Sequence, residues 1–452
     1  VAGVFVAFEY VRGISVIVVL GFGVGAMGQT SPGYTPPAPP KLHDVTAGIP
    51  VNYDETKVGT YTLPDPLKLN DGKPVKNAKT WVTKRRPEIV AMYETLQFGR
   101  APGRPAEESF DVVDAGTPAL GGKAIRRQVV ISFSKDPGWP KIHLLEYLPA
   151  AAVAEGRRVP LLLAISFNST INAVDDPGIL PAMVWDPKTK TKVPATPGKG
   201  FGRMDVGALL DAGFGYATFY YQDLEPDYLG GFADGIRAKY LKPGQTEPAP
   251  DEWGAIADWA WGMSRAMDYL ETDKAVDPKR VAIHGVSRLG KTVMWAGAHD
   301  ERFAAVIASC SGEGGAALSR RDYGETIAHL ESPRRYPYQF AGNWAQFAGH
   351  ADKMPMDAHF LIALVAPRPL LLQTGDSDFW SDPKGEFEAE VAAGPVYKLL
   401  GKDPLDTDVW PPAGVAILHD LAYEMHVGGH GMVPSDMDVY IAFLKMHLHP
   451  ER

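Results

Sequence analysis

The chain has 452 residues, with 45 Lys and Arg against 54 Asp and Glu, a formal net charge of −9. That balance excludes the basic footprint of a nucleic-acid binder. A single cysteine, Cys310, excludes an intrachain disulfide, a multi-cysteine zinc or iron–sulfur site and a C-x-x-C redox pair.

Residues 14–26 (ISVIVVLGFGVGA) are apolar and uncharged, follow Arg12 and run into Gly25, Ala26 and Gly28. This succession of charged, apolar and small residues is that of a secretory signal peptide, read over 1–28. The run falls short of the ~20 residues that a spanning helix needs, and an N-terminal anchor embedded in lipid is the other reading. Residues 29–45 form a proline-rich linker. Residues 46–452 read as one domain with loop insertions at 177–200 and 238–252. The expected location is secreted or periplasmic, with no stable membrane insertion of the mature protein.

Strand-like runs fall at 143–148 (HLLEYL), 159–166 (VPLLLAIS), 215–221 (GYATFYY), 280–284 (RVAIH), 304–309 (AAVIAS), 369–374 (PLLLQT) and 415–419 (VAILH). Several are continuously apolar, as parallel strands covered on both faces require. Helices are expected at 85–97, 204–212, 251–271, 289–299, 385–400 and 436–447. In the third, Trp253, Ile256, Trp259, Ala260, Met263 and Met267 recur at helical spacing and mark a core face. Alternating strands and helices predict an α/β fold, a mainly parallel sheet with helices on both faces. No period of 20–50 residues repeats, which excludes a solenoid or propeller.

Residues 280–292 read RVAIHGVSRLGKT. As a pattern, Gly285-x-x-x-x-Gly290-Lys291-Thr292 is a phosphate-binding P-loop. As chemistry, Gly285-x-Ser287 on a strand-to-helix turn is a nucleophile elbow. Three observations favour the elbow. An exported protein meets little ATP. Several strands precede the motif. An acid and then a histidine follow it, in the Ser, Asp, His order of α/β-hydrolases. The elbow departs from G-x-S-x-G, because Leu289 stands at the second glycine and Gly290 follows it.

A serine hydroxyl needs a neighbouring base. Of 12 histidines, His430 lies in Gly428-Gly429-His430-Gly431, between the last strand-like run and the last helix. His426-x-x-x-His430 resembles a zinc pair but lacks a third ligand, so no metal is expected. His284 and His299 read as packing or surface residues. Three carboxylates are candidates for the group that orients the base: Asp376 and Asp378 after PLLLQT, and Glu313 after the preceding strand.

The segment Gly285-Val286-Ser287-Arg288-Leu289-Gly290-Lys291 resembles the G-C-S-R-x-G-K signature of glucuronoyl esterases, carbohydrate esterase family 15. The resemblance continues through Ser311–Arg321, Gly324-Glu325-Thr326, Ala366-Pro367-Arg368-Pro369 and Asp378–Pro383 to the His430 loop, and is closer to the bacterial branch. It implies an α/β-hydrolase fold, a three-layer sandwich. The implied reaction is cleavage of esters between glucuronic acid side chains of xylan and lignin alcohols, without a cofactor. An acetyl xylan esterase, or another carbohydrate carboxylesterase, is the rival reading.

By matching position, Ser287 is the expected nucleophile, His430 the base and Arg288 an oxyanion donor. Lys291, Glu325 and Trp380 are the expected sugar contacts. Two positions depart from the family pattern. Val286 replaces the signature cysteine. Cys310 falls where fungal members carry the acid, and a thiol cannot take that role, which moves the expected acid to Asp378. The expected partner is a glucuronoxylan or lignin–carbohydrate ester, met by a monomer that binds no nucleic acid.

Overall fold

In the computed structural model, residues 44–450 are described, with short pieces at 10–11, 14–15, 29–30, 34–35 and 37–38. The leader read over 1–28 and most of the linker read over 29–45 lie outside them. No helix among the described residues is long and apolar enough to cross a membrane.

Nine strands form the central sheet: β1 (Ser109–Ala119), β2 (Ala124–Ser132), β3 (Lys141–Pro149), β4 (Val159–Ser166), β5 (Gly215–Tyr220), β6 (Val276–Val286), β7 (Ala305–Ser309), β8 (Leu370–Gly375) and β9 (Leu421–His426). Their spatial order is β9-β8-β7-β6-β4-β5-β3-β2-β1. From β9 to β5 every pair is parallel, whereas β5–β3, β3–β2 and β2–β1 are antiparallel.

The principal helices are α1 (Arg86–Leu96), α2 (Val206–Asp211), α3 (Ala255–Leu270), α4 (Arg288–His299), α5 (Ala358–Val365), α6 (Pro383–Leu399) and α7 (Asp436–Leu448). They form two layers, and alternate residues of each strand point to opposite ones. Leu161, Leu163, Val281 and Ile283 pack into a core with α1, α3, α4, α5 and α6. Leu162, Ala164 and Ala282 pack into a second core with Leu209 of α2 and Tyr440 and Phe443 of α7. The expected α/β fold with helices on both faces is thus the observed one.

Several elements differ from expectation. The last strand is Leu421–His426, and 415–419 contributes only a bridge between Ile417 and Tyr423. The apolar run VAILH drew the assignment, while the true strand carries Glu424 and His426, both buried. Strands β1 and β2 carry Asp111, Asp114, Arg126 and Arg127, which hid them. The third helix begins at Ala255, after Gly254, rather than at 251.

Candidate active site

The site lies at the carboxyl ends of the parallel strands, where open α/β sheets gather their functional loops. Strand β6 ends at Val286, Ser287 makes the turn, and α4 begins at Arg288. Ser287 has φ 61° and ψ −127°, a strained conformation for a residue with a Cβ, held by its surroundings. Its N–H donates to the Ser309 carbonyl at the end of β7, 2.8 Å away. Both nearby glycines are sterically required. A Cβ on Gly285 would sit 2.2 Å from the Leu289 carbonyl oxygen, and one on Gly290 would sit 2.8 Å from that of Ser309. The displaced second glycine is therefore what lets α4 cross tightly over β7.

His430 and Asp378 come together from the loops after β9 and β8. His430 Nδ1 is 2.7 Å from Asp378 Oδ2 and 3.3 Å from Ser381 Oγ. The Asp378 side chain is 3% exposed and that of His430 37%, so the carboxylate is sheltered and the ring faces outward. Phe201 stacks on the imidazole with centroids 6.2 Å apart.

Cys310 ties these loops to the elbow. One residue beyond Ser309, its Sγ accepts from the Gly431 N–H at 3.4 Å and donates to the Gly431 carbonyl at 3.5 Å. Cys310 Sγ, a His430 ring nitrogen and an Asp378 oxygen all lie within 4.8 Å of one another. Burial pushes the thiol pKa up, which keeps it protonated and unreactive.

The other two candidate acids have different partners. Asp376 Oδ1 accepts from the Gly428 N–H at 2.9 Å and so shapes the histidine loop. Glu313 accepts from the Gly314 N–H at 3.0 Å and the Ser319 hydroxyl at 2.5 Å, and burial pushes its carboxyl up to about 8. His426 is held by Gly429, Gln373 and Asp436. His284 lies against Ser309, and burial pushes it down to about 3.

Arg288 pairs with Asp227 and lies over the Tyr336 ring at 4.4 Å. Lys291 is buried one turn along α4, 3.8 Å from Glu325. Burial pulls its pKa down, against the opposing pull of Glu325. Glu325 pairs with Arg335 at 2.7 Å, whereas Arg320 pairs with Asp357 and Arg321 with Glu55 and Asp382. Arg335 in turn lies 4.9 Å over both Trp380 and Tyr336. Lys291, Glu325 and Trp380 thus share one wall, joined by Arg335. Sequence reasoning missed Asp227, Arg335 and Tyr336. Asp227 follows β5 in a carboxyl-end loop, and that position was the available signal.

This arrangement holds the parts that acyl transfer needs: a strained serine at a helix N-terminus, an imidazole oriented by a sheltered carboxylate, and a guanidinium beside the turn.

Residues 248–401 match the family model for glucuronyl esterase, fungi. A glucuronoyl esterase structure from Solibacter usitatus is 45% identical with a TM-score of 0.83, covering 87% of this chain and 99% of that one. A carbohydrate esterase, MZ0003, from an unknown prokaryotic organism is 43% identical over 405 residues, 88% of this chain and 92% of its own length. The 4-O-methyl-glucuronoyl methylesterase of Schizophyllum commune is 28% identical over 351 residues, 75% of this chain and 74% of its own length.

Proposed function

The chain belongs to the glucuronoyl esterases of carbohydrate esterase family 15, and we propose that it cleaves glucuronoyl and 4-O-methyl-glucuronoyl esters between xylan side chains and lignin alcohols. The reaction is two-step acyl transfer. Ser287 Oγ attacks the uronoyl carbonyl while His430 takes its proton. Asp378 holds the imidazole and stabilises the imidazolium that forms. The Arg288 N–H, at the positive end of α4, and its guanidinium meet the charge that develops on the carbonyl oxygen. The alcohol leaves with the proton from His430, and water, activated by the same imidazole, releases the glucuronic acid.

Lys291 and Glu325 offer a donor and an acceptor to ring hydroxyls, and Trp380 offers an apolar face with one N–H donor. No step calls for a cofactor, because every proton and charge has a protein group to meet it. The enzyme is read as a monomer, residues 46–452 as its catalytic domain, and 1–28 as a leader that directs export.

The observation that supports this most is the His430–Asp378 pair at 2.7 Å, linked through Cys310 to the strand that adjoins the elbow. The test is kcat/KM for benzyl glucuronate against an aryl acetate. A preference of ~100-fold or more for the glucuronate supports a uronoyl site, since polar recognition of substrate hydroxyls discriminates by such factors. A preference for the acetate would move the reading to a general carbohydrate carboxylesterase.

A further inference from the structure

Asp227 is built into the site more firmly than an ordinary surface carboxylate. It lies in the loop Glu225-Pro226-Asp227-Tyr228 after β5, and its side chain is 4% exposed. Oδ1 accepts from the Tyr338 hydroxyl at 2.7 Å and from Gln339 Nε2 at 3.0 Å. Oδ2 accepts from the Tyr221 hydroxyl at 2.9 Å and from Arg288 Nη1. Four donors fill the roughly four acceptor positions of a carboxylate, and three of them are neutral. Tyr336 covers the guanidinium, its ring centroid 4.4 Å from Arg288 Cζ. The anion, its donors and the aromatic cover come from two separate loops that close on one side chain.

We propose that Asp227 is a positioning residue for the acyl-transfer step, fixing the Arg288 guanidinium so that its remaining N–H groups face the oxyanion. An arginine on its own samples many rotamers, and gathering it as charge develops would add to the barrier. A donor already held in place costs no such reorganisation. The neutral donors hold Asp227 in place without bringing a second cation that would compete with Arg288 for it. Burial opposes charge on Arg288, but the neighbouring Asp227 carboxylate more than offsets it.

The proposal rests on Ser287 being the nucleophile with Arg288 at its oxyanion, and it is independent of the sugar. The experiment is a double-mutant cycle of Asp227→Asn and Arg288→Ala in the full chain, on an aryl acetate and on benzyl glucuronate. Asp227→Asn is expected to lower kcat ~30–100-fold on whichever ester is turned over, with KM changed less than ~3-fold. In the Arg288→Ala background the same change is expected to lower kcat less than ~2-fold further. Tyr338→Phe removes one donor, keeps the ion pair, and should lower kcat severalfold, again only when Arg288 is present; it carries the cycle if Asp227→Asn does not fold. Additive losses in the two backgrounds, an unchanged kcat, or a loss confined to KM would overturn the proposal. Failure of the underlying reading would look different: Ser287 would escape labelling by a serine-directed phosphonate, and Arg288→Ala alone would keep wild-type kcat.

Discussion

Asp378→Asn changes one oxygen to an amide nitrogen and removes one charge, so it isolates what the carboxylate does for the base. In the folded protein the Asp378 oxygen lies 2.7 Å from His430 Nδ1, with the carboxylate side chain 3% exposed. In the proposed mechanism His430 takes the Ser287 proton, and a full positive charge then appears beside that carboxylate. At a charge separation of ~4 Å and an effective dielectric of ~20, the attraction is about 4 kcal/mol. That corresponds to about three decades in rate, since each decade takes ~1.4 kcal/mol. Asparagine also favours the wrong imidazole tautomer, which raises the expected loss in kcat to ~10³–10⁴-fold. The assay is benzyl glucuronate hydrolysis, with circular dichroism to show that the variant is folded. Glu313→Gln serves as the control. Glu313 accepts from Gly314 and Ser319, and burial raises its pKa to about 8. A neutral replacement is therefore expected to change kcat less than ~3-fold near pH 7. If Asp378→Asn kept turnover within tenfold of wild type while Glu313→Gln lost it, the assignment of the acid would be refuted.

Further expectations follow from the same geometry. Lys291→Ala or Glu325→Gln should lower kcat/KM for benzyl glucuronate ~10–100-fold and that for an aryl acetate less than ~3-fold; equal losses on both would place these residues outside sugar recognition. Glu386 is buried on α6, accepts from the Gly312 N–H at 2.5 Å, and is pushed by burial up to about 8. Its folded-state pKa lies above the unfolded value, so folding takes up a proton between about pH 4.5 and 8, and stability falls as pH rises through that window. Glu386→Gln should therefore flatten the fall in Tm between pH 5 and 8; an unchanged slope would show that Glu386 titrates normally. Gly285→Ala would place a methyl 2.2 Å from the Leu289 carbonyl oxygen. A loss of ~3 kcal/mol or more in denaturant unfolding is expected, and a wild-type midpoint would contradict the packing argument.

What could be read in the sequence was local. Strand β4 was legible because Val159–Ser166 is covered on both faces and so carries an unbroken apolar run. The elbow was legible because a strand, a turn serine and a helix with small residues at the crossing lie in 13 consecutive positions, 280–292. Helix α5, AHFLIALV, was missed because it is apolar all round and short, which leaves no period to detect. Strand β9 was misplaced because its buried Glu424 and His426 broke the apolar pattern. Their neighbours include Asp436 and Gln373, supplied by other elements. Within the candidate site, residues with a motif were named and their tertiary partners were not. Arg288 and Asp227 are 61 positions apart, and nothing near either one announces the other. Glu325 lies close to Arg320 and Arg321 along the chain and pairs instead with Arg335. Like-charge neighbours in one stretch can each choose a different carboxylate once the chain is folded. The single cysteine gained its contacts by the same route. Cys310, which in the sequence falls at the position of the fungal acid, bridges the elbow strand's neighbour to the residue after His430.

If Ser287 carries the hydrolysis of glucuronoyl esters, removing its hydroxyl should abolish turnover. The measurement is kcat/KM for benzyl glucuronate in Ser287→Ala relative to wild type, with both proteins shown to be folded. A loss of ~10⁴-fold or more is expected, because the remaining groups can stabilise the oxyanion but have no nucleophile to deliver. Turnover within tenfold of wild type would contradict it.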